Sequence, residues 1–290
     1  MPFAIVSVTN DLTTDQRVDR TCMTLVKAGY DVLLVGRRLR NSRTLLPRPY
    51  KMHRMRLLFD KGPLFYAEYN LALFFFLLTH QCDLLVSNDL DTLPANYLAD
   101  RIRQLFSFTR KSVIRNQKSK IHHLHDCHEY FRGMPELVGR KKVTAAWKWI
   151  EDRIFPNLST IVAVNSSVAD IYSREYGNHI GVVRNVPFRK SLSGPMDKAL
   201  LDIQPWQKVV LYQGAVNIDR GLEEAILAMK YLESDAVLVI AGIGDIFESL
   251  KNLAAEKGLT GKVRFPGQVP FQQLHAFTLM ADIGLSIEKD

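Results

Sequence analysis

The stretch from Phe3 to Val35, FAIVSVTNDLTTDQRVDRTCMTLVKAGYDVLLV, decides the fold. Its first apolar run, Phe3 to Val8, has the length of a buried strand, and Asp15 to Ala28 then carries helical periodicity that Gly29 stops. A second apolar run, Asp31 to Val35, completes a β-α-β unit. The alternation continues from there. Strands are expected at Met52 to Leu58, Asp83 to Ser87, Lys120 to His125, Thr160 to Val164 and Ile180 to Val183. Helices are expected at Leu64 to His80, from Thr92, at Val143 to Phe155 and at Ser167 to Tyr176. Continuous apolar strands between helices predict a parallel sheet covered on both faces. The segment Asn185 to Trp206 holds three prolines and a glycine with little periodicity, which is how an interdomain connection reads. Beyond it the alternation restarts, with strands at Lys208 to Tyr212, Ala236 to Ala241, Lys262 to Phe265 and Ile283 to Ile287. Helices lie between them at Gly221 to Leu232, Asp245 to Lys257 and Phe271 to Met280. The expectation is an α/β protein of two Rossmann-like domains, residues 1–190 and 207–290, joined by 191–206.

Composition agrees with that organisation. A sequence of 290 residues, 47% hydrophobic and 23% charged, has room for two globular domains at roughly 100–200 residues each. The longest apolar stretch, Leu71 to Leu78, falls well short of the ~20 residues a membrane-spanning helix needs. The N-terminus has no charged region ahead of its apolar run, so no signal peptide is read there. Three widely spaced cysteines support no disulfide framework and fit a reducing compartment, so a cytoplasmic location is expected. Charge is uneven. Arg37 to Lys61 holds nine basic residues against one acid, a local excess equal to the formal +8 of the whole sequence. A second basic window runs from Arg101 to Lys120 without an acid. Such patches attract anionic lipid, phosphorylated substrates or nucleic acid without choosing among them, and a merely solvated face carries equal weight.

The chemistry-bearing motifs narrow the field. Dinucleotide oxidoreductases need glycines in the first β-α turn, yet no glycine precedes Gly29. Gly242-Ile-Gly244 follows a strand and opens a helix, but Phe247 stands where a third glycine belongs, so these glycines either approach a phosphate or simply make a tight turn. No P-loop occurs. The strongest local signal is His122, His123, His125, Asp126, Cys127, His128 and Glu129, crowding the end of a strand. Ligands of open α/β sheets bind at such ends. Zinc-ligand spacings are absent there. Two readings remain: histidines without chemistry, or a His/Asp/Glu cluster that hydrogen-bonds sugar hydroxyls or phosphate oxygens. Asn88, Asp89 and Asp91 end another strand, where they either line the same crevice or cap the following helix.

Taken in order, VTNDLTTDQRV, VSNDLDTL, HDCHEYF, NSSVADIYSREYG with VVRNVP, LYQGAVNIDRGLEEAI, and VIAGIGD with VRFPGQVP resemble bacterial family 4 glycosyltransferases over nearly the whole sequence. The resemblance implies the GT-B architecture, two Rossmann-like domains facing a cleft with acceptor mostly on the first and nucleotide-sugar donor mostly on the second. It implies retaining transfer from a nucleotide sugar, a co-substrate rather than a cofactor, without a metal, to a lipid-linked or polysaccharide acceptor. It also implies a peripheral position on the inner membrane face, with the Arg37 to Lys61 window as its contact. Nucleic-acid binding by the basic stretches is a further hypothesis, but RNA- and DNA-module motifs are lacking and no nucleic-acid partner is expected. Carried over by residue, His128 matches the histidine that contacts the transferred sugar, with Asp126 as the nearby alternative. On the donor side, Gly214 matches the glycine of the first strand-to-helix turn, and Arg220 the basic position before the helix that grips the donor diphosphate. Gly242 and Gly244 match the G-x-G after the second strand, near the donor, while Phe265, Pro266 and Val269 fall where backbone meets the donor base. Asn88, Asp89, Asp91 and Glu129 are acceptor-side candidates.

The sequence departs from the family at three places. Ala215 stands where many members carry a second basic residue, and Asn10-Asp11-Leu12 replaces the paired glycines after the opening strand. A glutamate pair expected beyond the strand ADIGLSIEKD is not matched, Glu288 being unpaired, so the second domain is expected to be incomplete, with truncation at the C-terminal end. Two alternatives follow: a non-catalytic remnant that binds acceptor or acidic membrane, and a sugar-nucleotide epimerase of the same fold.

Overall fold

The computed structural model describes the protein except for residues 14, 41, 110–121, 135, 136, 138, 187–193, 233, 234 and 288–290. It divides into two compact units, Met1–Pro187 and Phe188–Asp290. Most of the second basic window, Glu288 and much of the Pro-rich connection therefore lie outside the described residues.

The first unit is a seven-stranded sheet, parallel throughout, in the order β3-β2-β1-β4-β5-β6-β7. The strands are β1 (Phe3–Ser7), β2 (Asp31–Arg38), β3 (Lys51–Arg56), β4 (Leu84–Asn88), β5 (His122–Cys127), β6 (Ile161–Ala163) and β7 (Ile180–Val182). Between them run α1 (Gln16–Lys27), α2 (Gly62–Thr79), α3 (Asp89–Thr109), α4 (Lys141–Ile154) and α5 (Ser166–Tyr176). Strand periodicity explains why both faces are covered. Ile5 packs with Tyr69, Leu73, Leu77 and Leu85 on one side, while Ala4 and Val6 pack with Val18, Cys22 and Val86 on the other. Asp15 caps α1 by accepting from the Val18 amide, and Asn165 does the same for α5 through Val168. At the C-terminal end of α2, Arg103 of α3 donates to the Leu77 and His80 carbonyls.

The second unit is a four-stranded parallel sheet, β10-β9-β8-β11. Its strands are β8 (Lys208–Gln213), β9 (Ala236–Ala241), β10 (Val263–Gly267) and β11 (Ile283–Gly284), with α6 (Leu222–Ala228), α7 (Phe247–Glu256) and α8 (Phe271–Met280) between them. Leu238 and Ile240 pack against α6 and α7, whereas Val237 and Val239 meet Phe277 and Met280 of α8.

Several boundaries differ from expectation. Strand β5 runs two residues beyond the expected end at His125, to Cys127, and its pairing with β4 carries on to Asn88–Asp126, while the expected start at Lys120 lies outside the described residues. Helix α3 begins at Asp89 rather than Thr92, so Asp89 and Asp91 belong to its first turn instead of preceding it. Helix α6 ends at Ala228, before Leu232, in a turn closed by the Tyr231 amide on the Ala228 carbonyl. Strand β11 pairs only through Ile283 and Gly284, shorter than the apolar run to Ile287.

Leu73 is fully buried and Leu71, on the same helix, is 59% exposed. Leu73→Ala is expected to lower unfolding free energy by about 2–5 kcal/mol. Leu71→Ala should stay within about 0.5 kcal/mol, both read by urea denaturation.

Candidate active site

In each sheet the strand order reverses once, and ligands of such sheets bind beyond the carboxyl ends of the strands at that point. In the first sheet the reversal falls between β1 and β4. The backbone leaves β1 through Asn10, whose side chain accepts from the Leu12 amide at 2.9 Å and donates to Asp15 at 2.8 Å. Leu12 holds φ at +70° although it is not glycine, and it is 1% exposed. Room for it comes from Gly36 on β2, where a Cβ would lie 2.4 Å from Leu12 Cδ2 and 2.5 Å from the Asn10 carbonyl.

Beside this loop the ends of β4 and β5 gather the predicted cluster. Register pairs Asn88 with Asp126. Asn88 is fully buried, donating to the Ser7 carbonyl at 2.8 Å, and its Oδ1 lies 3.0 Å from His128 Nε2. Asp89, with φ at +58°, wraps His128 from the other side: Oδ1 accepts from the His128 amide at 2.8 Å and Oδ2 lies 3.2 Å from Nδ1. Asp126 Oδ2 is 3.5 Å from His128 Nε2, and both its oxygens face the Arg17 guanidinium. Asp91 accepts from Thr9 Oγ1 at 2.6 Å, tying α3 to the loop after β1. Thus His128, Asp126, Asn88, Asp89 and Asp91 come together, while Glu129 is exposed at the rim. Arg17 is the member that sequence reasoning missed. Its signal, a basic residue in the first turn of an otherwise amphipathic helix, resembles any solvated helix position.

Crowded carboxylates set the charge state. Burial raises Asp89 to about 7 against the opposing pull of His128, and burial raises Asp91 to about 6 despite the Thr9 hydrogen bond. Burial also opposes ionisation of Asp126, but hydrogen bonds from His128 and Arg17 outweigh it and hold the carboxyl below its usual range. Burial disfavours the His128 imidazolium, yet Asp126 and Asp89 more than compensate and raise its proton affinity. Around neutral pH the His128–Asp89 pair therefore retains a proton that it can donate or share.

The remaining histidines divide differently. His123 and His125 lie inside β5, buried and neutral, because burial lowers them to about 3 and about 4. Ser87 Oγ sits 2.9 Å from both His123 Nε2 and His125 Nδ1. Both are thus held within the strand, whereas His128 stands beyond it. No group of three or more His, Cys, Asp or Glu with metal-holding geometry occurs among the described residues.

In the second sheet the order reverses between β8 and β11. A pocket of about 220 Å³ opens there, lined by Tyr212, Gln213, Gly214, Ala215, Arg220 and Leu285 to Ile287. Gly214 and Arg220 are thus brought together. Gly242 and Gly244 serve the neighbouring loop contact: a Cβ on Gly242 would sit 1.8 Å from the Gly214 carbonyl, and one on Gly244 would sit 2.2 Å from the Val216 carbonyl. Backbone hydrogen bonds Gly214 N to Ala241 O, Val216 N to Ile243 O and Ile246 N to Val216 O fasten the two loops. Both glycines are required by this close backbone approach. Phe265 packs edge-on against Phe247 at 5.8 Å and Val269 packs on the α8 side of the sheet, so neither side chain lines the pocket.

Residues 197–286 match the family model of glycosyl transferases group 1. An uncharacterised glycosyltransferase of Methanocaldococcus jannaschii is 32% identical over 111 residues, which cover 38% of this protein and 26% of that one. The match thus spans about a quarter of that relative. Among solved structures, sucrose-phosphate synthase from Thermosynechococcus elongatus superposes with a TM-score of 0.69 at 19% identity, covering 98% of this protein and 74% of the other. The Anabaena protein HepE in complex with UDP and glucose gives 0.68 at 12% identity, covering 99% and 74%. The fold is that of the GT-B glycosyltransferases.

Asp89 and His128 both gain proton affinity on folding. Asp89 therefore contributes stability that falls as pH rises from about 4 towards 7, and His128 a share that is lost only above its ordinary value of 6.5, a slope that His123 and His125, kept neutral by burial, oppose over the lower part of the range. Asp89→Asn is expected to flatten part of this slope, leaving the share of Asp91 and of Glu151, which burial raises to about 7. Urea midpoints across that pH range check it.

Proposed function

We propose that this protein is a nucleotide-sugar-dependent glycosyltransferase that transfers with retention to a lipid-linked or polysaccharide acceptor. The observation that carries the reading is the pocket at the strand-order reversal of the second sheet, lined by Gly214 and Arg220 inside the segment that matches the family model. A departing nucleoside diphosphate develops negative charge on its phosphate oxygens, and a guanidinium meets that charge with two directed N–H donors. Arg220 supplies the guanidinium in this reading, and no metal is required. HepE binds UDP and glucose on the same fold, which supports a uridine or related nucleotide sugar as donor.

On the first unit, His128 is assigned to hydrogen-bond the transferred sugar, with Asp126 and Asn88 behind the ring and Asp89 on Nδ1. Asp91 and Glu129 are assigned to the acceptor. Release of nucleoside diphosphate from candidate nucleotide sugars tests the proposal. His128→Ala should lower kcat by roughly 100-fold or more, and Arg220→Ala should lower kcat/KM by about 100-fold. A protein that neither binds nor consumes any nucleotide sugar overturns the reading. Conversion of the donor without an acceptor points instead to the epimerase.

The reading includes an anionic membrane surface as partner. Among the basic residues from Arg37 to Lys61, Arg48 is engaged with Asp19 and Tyr50, and Lys51 with Asp31. Arg38, Arg40, Arg56 and Lys61 are exposed, and so are Leu58, Phe59, Leu64, Leu71 and Phe75 around α2. Cations beside exposed apolar side chains suit an acidic lipid interface. No helix among the described residues is long and apolar enough to cross a membrane. Each basic residue near such a surface contributes about 1 kcal/mol. Reversing Arg38, Arg40, Arg56 and Lys61 to Glu should therefore weaken low-salt sedimentation with phosphatidylserine vesicles by at least roughly a thousandfold, the figure for neutralising the four charges alone. Unchanged binding removes the membrane from the proposal.

A further inference from the structure

We propose that Arg17 is a positioning residue that sets the orientation and protonation of His128 by holding Asp126. Arg17 lies in the first turn of α1, and its side chain is only 7% exposed. Its Nε donates to Asp126 Oδ2 at 3.2 Å, Nη2 donates to Oδ1, and Nη1 donates to the Val183 carbonyl at 2.9 Å. One planar group thereby joins α1, the end of β5 and the segment after β7. The bidentate fork fixes the plane of the Asp126 carboxylate. That plane matters because Oδ2 is shared. It accepts from Arg17 Nε on one side and stands 3.5 Å from His128 Nε2 on the other. The imidazole edge meets Asn88 Oδ1 at 3.0 Å, closer than the carboxylate.

A shared oxygen makes the guanidinium and the imidazolium competitors. With Arg17 present, part of the Asp126 charge is spent on the fork, and the ring remains seated between Asn88 and Asp89. Without it, Asp126 becomes an uncompensated buried carboxylate whose nearest available proton is on His128. The ring should then turn towards Asp126 and hold its proton more tightly. The charged and titratable groups acting on this ring come from every element around it. Asp89 and Asp91 stand on α3, and Asp126, His125 and Glu129 lie in or just after β5. Asp15 stands at the head of α1, and Arg37 on β2 acts on Asp91. Four of these carboxylates, Asp15, Asp89, Asp91 and Asp126, favour the imidazolium or share its proton. The Arg17 cation limits how far Asp126 does so.

The proposal concerns the residue assigned above to the transferred sugar, but its test reads the imidazole itself. His128 is titrated by NMR of the ring C–H resonances in the wild-type protein and in Arg17→Gln and Arg17→Lys, assigned with His128→Gln. In Arg17→Gln the apparent pKa of His128 should rise by about one unit. Arg17→Lys keeps the charge without the fork, so it should restore most of the pKa but not the wild-type ring chemical shifts. Should Arg17→Gln fail to fold, Arg17→Gln/Asp126→Asn removes the uncompensated carboxylate. In that double variant the His128 pKa should fall below wild type. A folded Arg17→Gln protein whose His128 titrates as in wild type overturns the proposal, as does a double variant whose His128 pKa does not fall. Nucleotide-sugar turnover is measured in parallel. A shifted His128 in a protein without turnover supports the Arg17 coupling while removing the transferase reading; turnover with an unmoved His128 does the reverse.

Discussion

Asp126 cannot be buried alone. It closes β5 at 4% exposure, and the effective penalty for desolvating a carboxylate is several kcal/mol. The compensating cation has to come from a distant part of the sequence, and Arg17 supplies it from α1. Because the same guanidinium also donates to the Val183 carbonyl, three elements far apart in sequence are fixed at one point. The rest of the first site is built outward from that pair: the His128 ring beside Asp126, Asn88 in register with it, and Asp89 closing over the far nitrogen. A second buried pair, Arg132 with Glu151 at 2.6 Å, pins the turn that follows His128 to α4, and Arg132 also reaches Glu175 on α5. Polar contacts therefore hold both ends of the segment bearing the histidine.

The two units use the same topological opportunity with different materials. At the reversal in the first sheet the work is done by side chains, all of them buried or partly buried and most of them ionisable. At the reversal in the second sheet the backbone dominates, since Gly242 and Gly244 let one loop lie against Gly214 and Val216 with no side chain between. The difference suits the chemistry assigned to each. A sugar hydroxyl is distinguished by directed donors and acceptors of adjustable protonation, whereas a diphosphate is met by a cation and by amides that only bare backbone can bring close.

The alternation of apolar runs made the two α/β units legible because period-two burial on both sheet faces leaves an uninterrupted signature. Ile5 facing Tyr69 while Ala4 and Val6 face Val18 is that signature in the packed protein. Helix ends were less legible. Thr92 looks like a start, yet α3 begins at Asp89, because Asp89 accepts the left-handed conformation and turns straight from strand into helix. Within the site, the carboxyl-end position of HDCHE and NDLD could be read from the strands before them. Which histidine would stand beyond the strand could not, since it depends on the β4–β5 register that buries His123 and His125 against Ser87 and leaves His128 past the end of β5. Arg17 was illegible for a similar reason. Its partner lies in another β-α unit, and nothing local distinguishes a buried guanidinium from a solvated one.

The loop after β1 turns sharply without a glycine of its own. The resemblance leads one to look for glycines at residues 10–12, where the backbone must turn sharply beside the site. Leu12 instead takes the left-handed conformation itself, at a cost of about 1–2 kcal/mol. Its side chain is almost completely buried, among Val6, Val8 and Leu34, and such burial contributes about 1.5–3 kcal/mol. The two terms nearly cancel, provided Gly36 remains without a Cβ where Leu12 comes to rest. The glycine that makes room for this turn thus stands on the neighbouring strand rather than in the loop. A consequence follows for what the loop presents: with leucine inserted below, Asn10 and Asp11 form its outer part, and Asn10 is drawn inward to Asp15 and the Leu12 amide. The loop is braced by its own side chains, and it offers a polar surface where paired glycines would offer bare amides.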